Sequence, residues 1–206
     1  LLKNLEMIEY INKNNIDHRI LYRASEILEN GGLIAYPTDT NWGIGCSVHS
    51  SKGLEKLRKL KGNFNDRTLT IICSKISQAS ELVNINSSTY RILKKNIPGP
   101  FVFILPAKIK VERQINMKRA EIGVRIPSNP VSVNVVEELG CPIYSITASK
   151  NMASQGWWDP ISAEENLFEC GWELEEIDEI DMILDPGEPQ HRELSTVLKI
   201  MEDEIE

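Results

Sequence analysis

Apolar positions along this chain fall into short blocks whose spacing switches between that of helices and that of strands. From Ile20 to Glu29, Leu21, Ala24, Ile27 and Leu28 recur at helical spacing, and Asn30-Gly31-Gly32 supplies the stop. Leu33-Ile34-Ala35-Tyr36 is a nearly continuous apolar run of strand length, the pattern of a strand buried on both faces. Between Ser51 and Lys61, Leu54, Leu57 and Leu60 alternate with Lys56, Arg58 and Lys59, which predicts an amphipathic helix with a basic outer face. Further strands are predicted at Thr70–Cys73, Phe101–Leu105, Glu121–Ile126 and Ile143–Ile146, and helices at Ile76–Leu82, Ser87–Asn96 and Pro130–Leu139. The last of these has Asn129 as its cap, a ring at its first position and Gly140 as its stop. Beyond Gly156 the pattern weakens to a helix near Ala163–Phe168 and strands near Met182–Leu184 and Thr196–Ile200.

Helices and strands mix along the whole length with no internal repeat, so the expected class is α/β. A chain of 206 residues can bury one full core. The expected organisation is a single domain over residues 1–206, with an N-terminal extension over 1–19 and a core over about 20–200. No apolar run approaches the length of a bilayer span, and Leu1-Leu2-Lys3-Asn4-Leu5-Glu6 lacks the layout of a signal peptide, so a cytoplasmic protein with no membrane partner is expected. Cys46, Cys73, Cys141 and Cys170 stand apart without a C-x-x-C and read as small buried apolar residues. His18, His49 and His191 are equally scattered, and no metal site is expected.

The net charge of −7 argues against a general nucleic-acid binder, but its distribution changes the picture. Between Lys52 and Arg125 there are 16 Lys and Arg against 5 Asp and Glu, whereas from Gly156 to Glu206 there are 2 against 17. Such asymmetry separates a basic surface able to hold an anionic ligand from an acidic one that repels it.

Two stretches carry candidate chemistry. Pro37-Thr38-Asp39-Thr40-Asn41-Trp42-Gly43-Ile44-Gly45 gathers hydroxyls, a carboxylate, an aromatic ring and two glycines directly after a buried strand, where ligands collect in α/β sheets. The same residues also compose an ordinary turn closed by the Asp39 side chain. The second stretch runs from Lys59 to Thr70 and leaves a basic helix through a polar loop containing Arg67, a place where cations can neutralise phosphates or simply complement a helix end. Trp157-Trp158 reads as an aromatic pair buried under the acidic C-terminal segment, with a platform for a nucleobase as the alternative.

Taken in order, Gly31–Gly45 (GGLIAYPTDTNWGIG), Lys61–Cys73, Pro98–Leu105 (PGPFVFIL), Gly123–Pro130 (GVRIPSNP), Gly140–Ser149 (GCPIYSITAS) and Ser195–Val197 resemble the YrdC/YciO family over about Ile20–Ile200. The resemblance implies a YrdC/RibB-like fold: a twisted mixed sheet with helices on its outer faces and a concave basic cavity. It implies Thr38, Thr40, Trp42, Ser145, Thr147, Ser149 and Ser195 as nucleotide or substrate contacts, and Lys61, Arg67 and Arg125 as charge stabilisers. Asn63 stands where the synthase branch carries the arginine of its K-x-R motif, and Ser149 replaces the asparagine of its S-x-N motif. Asparagine cannot replace a guanidinium as a bidentate, always charged phosphate partner, so the YciO side of the family is favoured. The implied function is binding of a nucleotide or of double-stranded RNA or tRNA. The alternative is synthesis of threonylcarbamoyl-AMP from ATP with Mg²⁺, L-threonine and bicarbonate, without a protein nucleophile; a purely structural role is the third reading.

Overall fold

The computed structural model describes residues 7–61, 69–118, 120–152 and 164–200. Strand β1 (Ile8–Tyr10) precedes helix α1 (His18–Glu29), which Asp17 starts by accepting the Arg19 N–H at 2.9 Å. Gly31 then turns the chain at a φ of 79°, and a Cβ on Gly32 would meet Ile27 Cγ2 at 2.4 Å, so this corner demands glycine. Strands β2 (Ile34–Pro37) and β3 (Trp42–Ser47) form an antiparallel hairpin, followed by α2 (Ser51–Lys61) and β4 (Thr70–Ile72). After α3 (Ile76–Ser80), Asn86 caps α4 (Ser87–Asn96), and β5 (Phe101–Pro106), α5 (Ile109–Ile115) and β6 (Glu121–Arg125) follow. Asn129 caps α6 (Pro130–Leu139) by accepting the Val131 N–H at 2.9 Å, and Gly140 closes it at a φ of 72°. The described chain ends with β7 (Ile143–Thr147), a 3₁₀ turn over Gly171–Glu176, β8 (Met182–Asp185) and β9 (Thr196–Lys199).

The nine strands among the described residues form one mixed sheet in the order β1-β8-β2-β3-β7-β4-β6-β5-β9, and the protein has the expected α/β fold. Three local expectations are corrected and one unforeseen helix is added. Ile8–Tyr10, within the anticipated extension, pairs with β8 at the sheet edge. Gly43-Ile44-Gly45-Cys46 is not loop but strand, since its glycines occupy one face while Trp42, Ile44 and Cys46 fill the core on the other. Ile109–Ile115 forms a short helix that lacks a side-chain cap to announce it. Glu164–Asn166 makes a turn rather than the helix expected near Ala163–Phe168; Ala163 itself lies outside the described residues. Beyond it, burial of Gly171, Leu174, Ile177 and Ile180 at every third position lays the chain across the core as a strap.

Alternation along the strands gives the sheet two unlike faces. One carries the principal core, where Trp42, Ile44, Ile71, Phe103, Val124 and Tyr144 pack with Leu57 of α2 and Val111 of α5. Cys46 and Cys73 are buried in it, and burial pushes the Cys46 thiol up to about 12; Cys141 and Cys170 are only half-buried. On the other face, α1 and α6 cover Ile34, Tyr36, Ile72 and Ile143. Beyond these helices the same face is paved with small and polar residues. Gly45 lies opposite Ser145, Ser145 opposite Thr70 and Thr70 opposite Gly123, one continuous row across four strands.

That row tolerates little added bulk, because a Cβ on Gly123 would stand 2.7 Å from Val102 Cγ1 and 2.9 Å from Thr70 Oγ1. Gly123→Ala is expected to destabilise the protein by about 1–3 kcal/mol in urea unfolding through this overpacking; an unchanged midpoint would show that the floor is looser than its geometry.

Candidate functional site

The site grows from one buried arginine. Arg125 ends β6 on the paved face and is 4% exposed. Its Nη2 donates to the Asp39 carboxylate and, at 3.0 Å, to Thr40 Oγ1, while Nη1 donates to Ser195 Oγ at 2.6 Å. Around this hub three separated segments are sewn together. Thr38 Oγ1 donates to the Asn41 carbonyl at 2.7 Å, Asn41 Nδ2 to the Glu193 carbonyl at 2.7 Å, Ser128 Oγ to Asp39 Oδ2 at 3.2 Å and Asn129 Nδ2 to the Thr38 carbonyl at 3.2 Å. The Glu193 N–H adds a bond to the Thr40 carbonyl at 3.2 Å.

These contacts dictate the shape of the sheet. Asp39 and Thr40 follow β2, and β3, β7 and β4 intervene between β2 and β6. At roughly 4.8 Å per strand, a flat sheet would hold β2 and β6 about 19 Å apart, well beyond an arginine's reach. Direct contact therefore needs the sheet to coil and the loop after β2 to lean across it, so that this loop and the end of β6 meet over the paved face, which becomes concave. A Cβ on Gly123 would meet Val102 and Thr70, while Gly43 and Gly45 leave their space to Tyr36. Its hydroxyl shares a 2.5 Å hydrogen bond with Ser145, and burial raises its pKa, outweighing the lowering by Ser145 and the Arg125 charge. Tyr36 stays protonated at any physiological pH.

A model of the Sua5/YciO/YrdC family, described as telomere recombination, matches residues 26–206. The chain belongs to this family. It is 33% identical over 137 residues to the uncharacterized protein YciO of Escherichia coli, covering 66% of each chain. It is 31% identical over 130 residues to a threonylcarbamoyl-AMP synthase of Saccharophagus degradans, covering 63% of this chain and 68% of that one. The fold matches the crystal structure of E. coli YciO with a TM-score of 0.80 at 26% identity, covering 98% of this chain and 94% of that one. It also matches P. abyssi Sua5 complexed with L-threonine, with a TM-score of 0.79 at 23% identity, over 97% of this chain and 56% of that one. The matched stretch spans 66% of the curated YciO protein.

Against the Sua5/YciO/YrdC motifs, the structure brings Thr38, Thr40, Arg125 and Ser195 together in one hydrogen-bonded cluster. Ser145 lies in the concave floor, and Thr147, two residues on, is exposed at the end of β7. Ser149 is half-buried and bonds Asn151 Oδ1 at 2.5 Å, while Lys61 is half-buried at the end of α2. Trp42 stands apart: it is fully buried in the principal core, and its indole N–H donates to the Glu169 carbonyl at 3.2 Å, so its ring is closed to a ligand in this conformation. Arg67, Asn63, Trp157 and Trp158 lie outside the described residues. The cationic surplus of the middle of the chain is mostly spent on helix surfaces: Lys52, Lys59, Arg91, Lys94, Lys95, Lys110 and Arg113 are exposed on α2, α4 and α5. Among the described cations only Arg125 is buried, and its charge is matched by Asp39. Asp39, the hub's counter-ion, was visible in sequence only as one polar residue of a turn. Among the described residues, no group of three His, Cys, Asp or Glu is placed to hold a metal.

Because Arg125 and Asp39 are both largely buried, at 5% and 13% side-chain exposure, removing either strands the other. Arg125→Met is expected to cost about 3–5 kcal/mol. Arg125→Met/Asp39→Asn is expected to cost less than the sum of the single changes by more than about 0.5 kcal/mol in urea unfolding; additive effects would show that the pair does not couple.

Proposed function

We propose that this chain is a YciO-type protein whose concave recess binds a nucleotide. The supporting observation is the floor of Gly45, Ser145, Thr70 and Gly123, beside Arg125 and its hydroxyl cluster. Glycines let a flat base approach the main chain, and hydroxyls with an arginine offer directional donors to ribose and phosphate. Thr147 and Ser149 at the end of β7, with Lys61 and with Arg67, which precedes β4 in sequence, are the proposed phosphate contacts. A compact ligand suits this recess better than duplex RNA or tRNA. RNA would meet its cations on the outer helices, with a steep dependence on salt.

A second reading, favoured by the 31% identity to a threonylcarbamoyl-AMP synthase and by the fold shared with an L-threonine complex, makes the nucleotide ATP and a substrate. The L-threonine amine and bicarbonate would combine, with loss of water, to a carbamate whose carboxylate oxygen attacks the α-phosphorus of ATP, releasing pyrophosphate. Lys61, Arg67 and Arg125 would stabilise the charge that develops on the phosphates. Mg²⁺ would arrive on the ATP phosphates, because Asp39, the carboxylate at the hub, is already engaged by Arg125 and Ser128. The cytoplasm, which supplies ATP, is the proposed location.

Calorimetric titration with ATP is expected to show saturable binding to the wild-type chain, weakened about tenfold by Lys61→Ala and by Thr147→Val. Pyrophosphate release only when ATP, L-threonine and bicarbonate are all present would select the synthase; ATP binding without turnover would select the binding module. Absence of ATP binding, or wild-type affinity in both variants, would overturn the proposal.

A further inference from the structure

A cavity of about 600 Å³ opens on the face of the sheet that carries the principal core, remote from the recess. Its lining includes the aliphatic side chains of Val83, Leu105 and Ile200 and the polar ones of Ser88, Thr89 and Lys108. Lys108 is the only charged side chain among the described residues lining it. Its Nζ donates one hydrogen bond, to the Ser80 carbonyl at 2.5 Å, and an ammonium has two more N–H groups to give. The ten-residue helix α4 begins at the same cavity. Asn86 caps the Thr89 N–H at 2.8 Å, while the N–H groups of Ser87 and Ser88 precede the first intrahelical bond and carry the positive end of the helix dipole.

An independent observation concerns Thr89. The residue is 5% exposed, its backbone N–H is taken by Asn86, and its hydroxyl makes no hydrogen bond among the described residues. A helical threonine usually returns its proton to the preceding turn, so this hydroxyl is left to face the cavity. Here it lines a cavity that also holds an ammonium and the start of a helix. All three groups favour the same visitor, an anionic oxygen, and no described carboxylate competes for them.

We propose that this cavity binds a small carboxylate with an aliphatic body. The carboxylate takes the N–H groups at the start of α4, the Thr89 hydroxyl and the Lys108 ammonium. Its hydrocarbon part lies on Val83, Leu105 and Ile200. A phosphate dianion would leave those side chains wet, whereas a monocarboxylate satisfies both halves. The site is independent of the nucleotide reading, since none of its residues belongs to the Arg125 cluster or the concave floor.

Hexanoate tests it, titrated into the full chain with calorimetry and with the amide resonances of Ser87, Ser88 and Thr89 as readouts. Saturable binding that shifts those resonances is expected, weakened about tenfold by Lys108→Met and by Thr89→Val, both with urea midpoints near wild type and unaltered response to ATP. Hexanol and inorganic phosphate, each lacking one half of the ligand, are expected to bind at least about tenfold more weakly. The proposal is overturned if hexanoate leaves the three amides unmoved at about 20 mM, if both variants bind it as the wild type does, or if phosphate or hexanol binds as tightly.

Discussion

The ion pair between Arg125 and Asp39 joins the end of β6 to the loop after β2, elements that strand order alone would leave four strand spacings apart. The shape of the concave face goes with that contact. The coiled sheet and the leaning loop bring the pair together, and neighbouring side chains leave little room for bulk on the inside. Glycine, serine and threonine therefore occupy the row from β3 to β6, and the same small residues leave main chain within reach of a flat ligand. A buried pair of this kind contributes little net stability once desolvation is counted, but losing one partner is expensive. The pair acts less as glue than as a gauge of shape.

The clamp also changes how the charge of the recess should be understood. A guanidinium already facing Asp39, Thr40 and Ser195 is no free cation waiting for phosphate. It orients the two hydroxyls. Under the proposed nucleotide reading, binding strength would come from groups at the rim and from directed hydrogen bonds, not from a pool of positive charge. The exposed lysines and arginines of α2, α4 and α5 present a separate, salt-sensitive surface that could attract an anion without selecting it.

Much of this fold could be read directly from the chain. Asn129-Pro130 and Gly140 delimit α6 as capping chemistry requires, and Leu54, Leu57 and Leu60 mark the buried face of α2. What escaped has a physical reason in each case. In β3 the glycines looked like loop because half the alternating signal falls on a concave face that admits no side chain. For β1, three residues give no period to detect, and α5 starts without a capping side chain. The resemblance of ordered motifs pointed to Thr38, Thr40, Arg125 and Ser195, which the fold gathers into one cluster, but neither composition nor spacing could reveal that Asp39 would neutralise the arginine. That pairing exists only after the sheet has coiled. Trp42 shows the converse error: a ring beside a polar loop looked available, yet alternation along β3 turns it into the core.

Amide hydrogen exchange, compared between the wild-type chain and Arg125→Met, tests the clamp most directly. The account predicts lost protection in Thr38–Asn41 and Glu193–Thr196, the two segments the guanidinium ties together, with the paired row through β3, β7, β4 and β6 still protected. Unchanged protection in both segments, or a uniform loss across the whole sheet, would contradict it.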